Sequence, residues 1–360
     1  MKIDFIINKM SGGGAERVVS LVANYLNNKG YEIRIITFQG SDKYELDKGI
    51  KRIKLHKHPF FQSVVVNGFF GLSYFYRKKS NRPDIISSHI NLLGYMTIPI
   101  AKIFNIKIIV SEHINHSQNN SFSRRFLWNY LYSYSDAVTI LTNYDLEYFS
   151  KKNKNVLVMP NPCPFSIIKD ADILRERNKE IIAVGNLDRY FHKGFDNLIT
   201  IASKVLIDNP NWKLRIVGGG DDGLKILKNK SIELGVEDKI IFNGFTSEVR
   251  EIMLNSEIFI LSSRFEGLPM VLMEAMSQGM CCISYDCISG PSDIIDTNIN
   301  GNLIENQNID KMIIGLNELI QNNALRQKFK KNAPRSLNKF SIETIGSKWE
   351  KLLKELVIKS

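Results

Sequence analysis

Short apolar runs alternate with longer amphipathic segments along the whole chain, and this alternation predicts its secondary structure. Short runs flanked by turn residues are expected as buried strands, and apolar residues at helical spacing as helices. In the first half the expected strands are 2–7, 33–38, 50–55, 84–88, 106–111, 136–141 and 156–159. In the second half they are 181–184, 214–217, 240–242, 258–261 and 281–285. Residues 310–333 are expected as one helix, and 342–358 as a final amphipathic helix.

A proline-rich segment, Pro160-Asn161-Pro162-Cys163-Pro164, interrupts this alternation. Such a segment continues neither a helix nor a sheet, because proline fixes φ and lacks an N–H donor. We therefore expect a first domain of residues 1–163 and a second of residues 164–341. Each half has the size and the βα alternation of a doubly wound α/β domain with its own core.

The net charge of +11 lies entirely in the first half of the chain. Residues 1–178 carry 25 lysines and arginines against 14 acidic residues, whereas residues 179–360 carry 23 of each. This asymmetry predicts an anionic partner for the first half: a membrane surface, a lipid phosphate or a nucleic acid. The aromatic strand motifs of an RNA-recognition module are missing from the sequence, so no nucleic-acid partner is expected.

Two helical segments of the first half combine aromatic and basic residues. One is residues 56–82, and the other carries Arg124, Arg125 and Trp128. This combination suits helices at an anionic lipid interface. The alternative is that the aromatic residues are buried, with the second helix turning inward Phe126, Leu127 and Tyr130.

Location and redox state are predicted from what the sequence lacks. No apolar run approaches the roughly 18 residues of a membrane span, and the chain opens on a strand containing Asp4 rather than on a signal peptide. The cysteines form no C-x-x-C pair, so free buried thiols are expected. We predict a cytoplasmic protein, peripheral at the inner face of the membrane.

The most informative stretch is Ser263–Gly279, in which two glutamates flank a predicted helix start. Glu266 lies in a loop after a buried strand, Pro269 suits the first helical position, and Glu274 falls inside the helix. The N–H groups of a helix start bind anions, and the rise from Pro269 to Glu274 is about 8 Å. A nucleotide sugar has the matching layout of sugar hydroxyls, diphosphate and ribose hydroxyls. The alternative is two solvated surface acids.

Glu266-Gly267, Pro269, Glu274-Ala275 and Gly279 resemble the E-x7-E signature of retaining glycosyltransferases. The resemblance is to glycosyltransferase family 4, whose members commonly read E-G-x-P-x-x-x-x-E-A-x-x-x-G. The strings G-G-A-E-R (13–17) and S-E-H (111–113) are also similar to loops of this family. The resemblance implies the GT-B fold, in which two Rossmann-like domains face each other across a cleft. It also implies that helix 342–360 packs back on the first domain.

The resemblance also assigns roles to individual residues. The catalytic set it implies is Glu266, which orients the sugar, Lys193, which clamps the phosphates, and His113. Asn186 stands where the family has an arginine, in a loop that is two residues longer, so Arg189 is the candidate replacement. The donor-binding set is Gly13, Gly14, Asn186, Arg189, Gly218, Gly244, Gly267, Leu268, Pro269, Met270, Val271 and Glu274, with Glu274 on the ribose. The acceptor or membrane set is Glu16, Arg17, Arg124, Arg125 and Trp128.

The implied reaction is retaining transfer of a hexosyl unit of the Gal, GlcNAc, GalNAc or Glc type. The expected donor is a UDP-sugar, and the expected acceptor is a lipid-linked oligosaccharide in polysaccharide, O-antigen or capsule synthesis. No cofactor and no metal are expected, since the only D-x-D string, Asp170-Ala171-Asp172, lies in the linker region. Two alternatives remain: a nucleotide-sugar 2-epimerase on the same fold and a non-catalytic basic membrane adaptor.

Overall fold

A computed structural model describes residues 1–55, 63–118, 121–168, 173 and 175–358. The chain folds into two compact units, Met1–Pro164 with Phe340–Ser360, and Phe165–Lys339. The chain passes from the first unit to the second just after Pro164, in the proline-rich segment, where neither a helix nor a sheet can continue. The D-x-D string and residues 56–62 lie outside the described residues.

The first unit contains a sheet of seven parallel strands in the order β3-β2-β1-β4-β5-β6-β7. Its strands are β1 Lys2–Ile6, β2 Glu32–Thr37, β3 Lys51–Lys54, β4 Ile85–His89, β5 Lys107–Ser111, β6 Ala137–Ile140 and β7 Val156–Val158. The order reverses between β1 and β4, which is where open α/β sheets bind ligands at their carboxyl ends.

Helices cover both faces of this sheet, as the continuous apolar strands require. They are α1 Gly14–Asn28, α2 Val64–Arg77, α3 Gly94–Ile103, α4 Phe122–Phe126, α5 Leu146–Ser150 and the C-terminal helix Ile342–Ile358. The C-terminal helix belongs to this unit and packs on α1. Gly346 permits the close approach, because a Cβ there would lie 2.4 Å from the Tyr25 ring.

The second unit contains six parallel strands in the order β10-β9-β8-β11-β12-β13. Its strands are β8 Asn178–Val184, β9 Lys213–Val217, β10 Ile240–Gly244, β11 Ser256–Leu261, β12 Cys281–Asp286 and β13 Asn302–Glu305. Its helices are α6 Tyr190–Lys193, α7 Phe195–Asp208, α8 Asp221–Glu233, α9 Val249–Asn255, α10 Met270–Ser277, α11 Pro291–Ile294, α12 Ile309–Gln321 and α13 Asn323–Ser336. Strand residues such as Ile181 and Ile258 pack on Leu198 and Val205 of α7 in one core.

Two local differences from the expected elements have plain causes. The helix expected over 310–333 is two helices, because the side chain of Asn322 accepts the N–H of Leu325 at 3.0 Å and starts a new one. Strand β13 was not predicted; it is short and follows the turn at Gly301.

The segment after Ser121 differs most from its prediction. Helix α4 passes into a π-helix, Leu127–Leu131, and then into a 3₁₀ turn, Tyr132–Tyr134. Trp128 is fully buried, and its indole N–H donates to Glu112 Oε1 at 2.8 Å. The assignment of Trp128 to a membrane interface is therefore wrong.

The alternative for the same segment is also wrong for two of its residues. Phe126 and Tyr130 are exposed rather than turned inward, whereas Leu127 is buried beside Trp128. Arg125 is exposed and Arg124 half-buried. Within the described residues, no helix has both the length and the apolar character needed to cross a bilayer.

Candidate active site

The turns after β8, β9 and β10 are joined by backbone hydrogen bonds at the carboxyl edge of the second sheet. Gly218 N–H donates to Gly244 O at 3.0 Å, and Leu187 N–H donates to Gly219 O at 2.8 Å. Gly218 has φ of +153°, and a Cβ there would lie 1.8 Å from Gly185 O. Only glycine fits this position, so the three turns form one closely packed backbone surface where such sheets bind ligands.

An ion pair joins two of the predicted catalytic residues at this edge. Lys193 Nζ lies 2.8 Å from Glu266 Oε1, and both side chains are largely buried. Ser263 Oγ donates to the same carboxylate oxygen at 2.7 Å. Residues 73 positions apart in sequence are thus brought together beside the start of α10.

The charge state of Glu266 follows from this pairing. Burial alone would raise the pKa of the carboxyl, but the charge and hydrogen bond of Lys193, with the Ser263 hydroxyl, outweigh it and lower the pKa below its usual value. Glu266 is therefore ionised at neutral pH. It can accept hydrogen bonds from hydroxyl groups of a ligand but cannot donate a proton to them.

Gly194 fixes the position of Lys193. It has φ of +66°, and a Cβ on it would lie 1.9 Å from Ser262 O. Ser262 Oγ donates in turn to Lys193 O at 2.9 Å. The K-G pair is thus pressed against the end of β11, a contact that no side chain larger than hydrogen permits at position 194.

Helix α10 presents its first turn beside this pair. Pro269 is the N-cap residue rather than the first helical residue, and its carbonyl accepts the N–H of Leu272 at 3.2 Å. The N–H groups of Met270 and Val271 precede this first bond and belong to the anion-binding turn. The side chains of Leu268 and Met270 are buried, so these residues can offer a ligand only their backbone.

Glu274 lies in the second turn of α10 and is almost fully buried. It is therefore not one of two solvated surface acids. Glu266 is likewise largely buried beside Lys193. The spacing of the two glutamates places one carboxylate before the helix start and one within the helix, as the sequence predicted.

Asn186 and Arg189 both lie in the loop after β8, which is longer than is usual in the family. The Asn186 side chain accepts the N–H of Asp188 at 2.8 Å and caps a 3₁₀ turn, Leu187–Arg189. Asn186 therefore stabilises the conformation of its own loop. Arg189 is exposed, and its charge contributes, after burial, to lowering the pKa of His192. A cation thus lies near His192 without occupying the position of the family's arginine.

Sequence reasoning missed a second ion pair beside the first. Arg264 makes two hydrogen bonds with Asp196, at 2.7 and 2.8 Å, and its guanidinium lies 4.0 Å from the centre of the Phe191 ring. This bidentate pair joins the loop after β11 to the start of α7. The available signal was an arginine inside the motif S-R-F-E and an aspartate directly after K-G-F.

The glycine turn of the first unit is closed by its own glutamate. Glu16 Oε2 accepts the N–H of Gly12 at 2.6 Å and that of Gly13 at 3.0 Å, and the residue is buried. The expectation that Glu16 faces an acceptor or membrane is therefore corrected: its carboxylate takes the turn's own N–H groups. Gly13 and Gly14 are exposed, and Arg17 is half-buried.

His113 is half-buried and hydrogen-bonded to the buried His89 in the first unit. His89 Nδ1 and His113 Nε2 lie 2.9 Å apart, and His89 Nε2 lies 2.9 Å from Ser87 Oγ. Burial lowers the pKa of His113 to about 4 and that of His89 well below its usual value. Both rings are neutral at pH 7. His116 instead binds Asp145 at 2.7 Å.

Two doubly wound α/β units, each with a parallel sheet and glycine turns, have the architecture of the GT-B class. Residues 12–164 match the family model described as Glycosyltransferase Family 4, and residues 166–336 match the one described as Glycosyl transferases group 1. The chain belongs to glycosyltransferase family 4, which confirms the family and the fold class predicted from the motifs.

Full-length relatives agree with this assignment. The chain is 29% identical to an uncharacterized glycosyltransferase of Haemophilus influenzae, over 97% of this chain and 98% of the relative. It is 29% identical to a Campylobacter jejuni enzyme named as a GalNAc-α-(1→4)-GalNAc-α-(1→3)-diNAcBac-PP-undecaprenol α-1,4-N-acetyl-D-galactosaminyltransferase, over 99% of each. Anabaena Alr3699/HepE, solved with UDP-glucose, superposes with a TM-score of 0.82 at 19% identity over 99% of this chain and 100% of the other.

Proposed function

We propose that this protein is a retaining hexosyltransferase that uses a UDP-sugar donor and a lipid-linked oligosaccharide acceptor. The single observation that supports the reaction is the pair of Lys193 and Glu266 beside the first turn of α10. An ammonium group, an ionised carboxylate and free helical N–H groups within one edge of a sheet match a sugar diphosphate chemically.

Lys193 would stabilise the charge that develops on the leaving diphosphate. An ammonium group has three donors, so its bond to Glu266 leaves others for phosphate oxygens. The N–H groups of Met270 and Val271 would add fixed donors to the same anion. Arg189, exposed and close to His192, is the further cation that could reach the phosphates.

Glu266 and Glu274 would orient the two hydroxyl-bearing ends of the donor. Glu266 is ionised because of Lys193 and would accept hydrogen bonds from the transferred sugar. Glu274, farther along α10, would accept them from the ribose. With cations and N–H groups on the diphosphate, the proposed reaction uses neither a metal nor a cofactor.

The donor and the acceptor are proposed by comparison. The solved complex of the Anabaena protein contains UDP-glucose, and the named substrate of the Campylobacter enzyme is an undecaprenyl diphosphate glycan. The basic first half of our chain suits such an anionic acceptor. We accordingly propose a role in surface-polysaccharide synthesis, at the cytoplasmic face of the membrane.

Calorimetric titration with UDP and with GDP, each with and without magnesium, tests the donor site. We expect metal-independent binding of UDP, weakened about tenfold or more by Lys193→Ala and by Glu274→Ala, because each loses a charged contact. Lys228→Ala, an exposed lysine on α8, is the matched control and should bind normally. Failure to bind either nucleotide, or binding that ignores both site variants, would refute the proposal.

Product analysis then separates the proposed reaction from its rival. A screen of UDP-sugars with a lipid-linked acceptor should give a product whose new anomeric centre keeps the donor configuration, as read by NMR. Turnover of the donor without any acceptor would instead indicate an epimerase. An inverted anomeric centre would rule out retention while leaving glycosyl transfer intact.

A further inference from the structure

The first unit exposes two rows of large apolar side chains at one-turn spacing. On α2 they are Val66, Phe70 and Tyr74, and on α4 and the turns that follow it they are Phe122, Phe126, Tyr130 and Tyr134. We call these seven residues the aromatic face. Tyr74 is 82% exposed and Phe122 is 85% exposed, whereas large apolar side chains in rows of this kind are usually buried.

Both rows lie on the same side of the first sheet. Helices α2 and α3 and the π-helix share one hydrophobic core, to which they contribute Leu72, Met96 and Trp128. Their opposite sides therefore form one outer surface. Tyr95 of α3 stacks on Phe126 with ring centres 6.4 Å apart, which links the middle helix to the second row.

The second row is fixed from beneath rather than loosely attached. Trp128 and Tyr132, on the inner side of the same segment, both donate to the buried carboxylate of Glu112. Because these two side chains are held inward, Phe126 and Tyr130 are held outward. The aromatic face is thus a preorganised surface, which lowers the entropy cost of binding a partner.

The segments that carry the aromatic face contain cations but no acidic residue. Residues 63–79 and 121–134 have five lysines and arginines between them and neither aspartate nor glutamate. Exposed cations stand at the end of α2, at Arg77, Lys78 and Lys79.

We propose that the aromatic face docks on an anionic lipid bilayer, with its rings in the interfacial layer and the neighbouring cations on lipid phosphates. Aromatic rows flanked by cations are the composition of an interfacial surface, and anionic lipid supplies the complementary charge. The inference rests on the proposed function for its partner, since a lipid-linked acceptor lies in such a bilayer. It assigns the contact to side chains other than Trp128.

Vesicle flotation with the full-length protein tests the aromatic face. We expect the wild type to float with vesicles of phosphatidylcholine containing about 30% phosphatidylglycerol, and much less with pure phosphatidylcholine. The double variant Tyr74→Ser with Phe122→Ser should lose about tenfold or more in partitioning, because two exposed rings leave the interface. The matched control is Ile232→Ser with Ile314→Ser, two similarly exposed apolar residues of the second unit.

The cations are tested separately. Lys78→Gln with Lys79→Gln should weaken flotation and reduce its salt dependence, whereas Lys225→Gln with Lys228→Gln on α8 should not. The inference is overturned if the wild type ignores anionic lipid, if the aromatic variant floats like the wild type, or if both control pairs lose as much. Self-association that the aromatic variant abolishes would also overturn it, since a second copy would then cover the face.

UDP titration of the same variants separates this inference from the proposed function. The Tyr74 and Phe122 variant should bind UDP as the wild type does, because the proposed donor site lies in the second unit, and an unchanged circular dichroism spectrum shows that its first unit is folded. If the wild type binds UDP but does not float with anionic vesicles, only the docking surface is refuted. If it floats but does not bind UDP, only the donor assignment is refuted.

Discussion

Replacing Lys193 by methionine should reveal how strongly the second unit depends on its ion pair. The change keeps most of the aliphatic stem and removes the ammonium group 2.8 Å from Glu266. It leaves a largely buried carboxylate with the hydroxyl of Ser263 still donating to it. The variant therefore isolates the cost of an unpaired charge rather than of a cavity.

The expected loss is about 3 kcal/mol of unfolding free energy near neutral pH, the low end of the roughly 3–5 kcal/mol for breaking a buried pair. Ser263 and the remaining solvent access keep the loss at that end. In the wild type the pKa of Glu266 is lowered, so the stabilisation by the pair is present above the usual glutamate pKa and disappears only as pH falls through the folded value. In the variant, burial acts without Lys193 and raises the pKa instead.

The opposite directions of these two shifts give the test. Urea unfolding should be measured at about pH 7.5 and about pH 5.5, both above the lowered pKa of the wild-type carboxyl. Because Glu266 of the variant takes up a proton on acidification, its deficit should shrink by up to about 1.4 kcal/mol per pH unit below the raised pKa. The double variant Lys193→Met with Glu266→Gln should recover part of the loss at either pH.

The exposed pair of Lys151 and Glu147 in the first unit is the control, and Lys151→Met should have no measurable effect. Lys193→Met with wild-type stability at about pH 7.5 would show that the pair contributes nothing. A deficit that does not shrink when the pH is lowered further, down to the usual glutamate pKa, would show that Glu266 is not the group left unpaired.

Two further predictions concern the Gly194 contact in the second unit and the paired histidines in the first. Gly194→Ala should lower the free energy of unfolding by about 3 kcal/mol or more, because its Cβ would clash with Ser262 O. The control is Gly235→Ala, which has φ of +65° and no neighbour within 4 Å and should lose only about 1 kcal/mol. Equal losses of the two variants in urea unfolding would contradict the clash. NMR titration should show that the His113 ring stays neutral down to about pH 4. In the unfolded chain the rings of His113 and His89 take up protons near pH 6.5, so the first unit should lose stability as the pH falls below that value. Protonation of His113 near pH 6.5 in the folded protein would contradict this prediction.

Much of the fold could be predicted because parallel strands buried on both faces are written as continuous apolar runs. Each apolar run predicted as a strand overlaps an observed strand, whose ends differ from the predicted ones by at most a few residues. Strand β13, Asn302–Glu305, has no such run and lies at the sheet edge, so local pattern did not reveal it. The break at Asn322 was missed because both helices continue the same periodicity and only a side-chain cap separates them.

The candidate site was predicted in part for a similar reason. Short local motifs contain Lys193, Glu266 and Glu274, so these residues could be identified from the sequence alone. The bond between Lys193 and Glu266 is not local, and neither is that of Arg264 with Asp196. Both depend on two loops meeting at the ends of neighbouring strands.

The sequence by itself determined the two-unit α/β order, the glycine turns and the family, because these follow from periodicity and motif spacing along the chain. Tertiary structure alone decided which chemically similar residues were available to a ligand. Glu16 and Trp128 resemble surface residues in sequence, yet each is buried, Glu16 against the glycine turn and Trp128 against Glu112. The physical reason is that a buried polar group must find a partner, and which partner lies within reach is fixed only when the chain has folded.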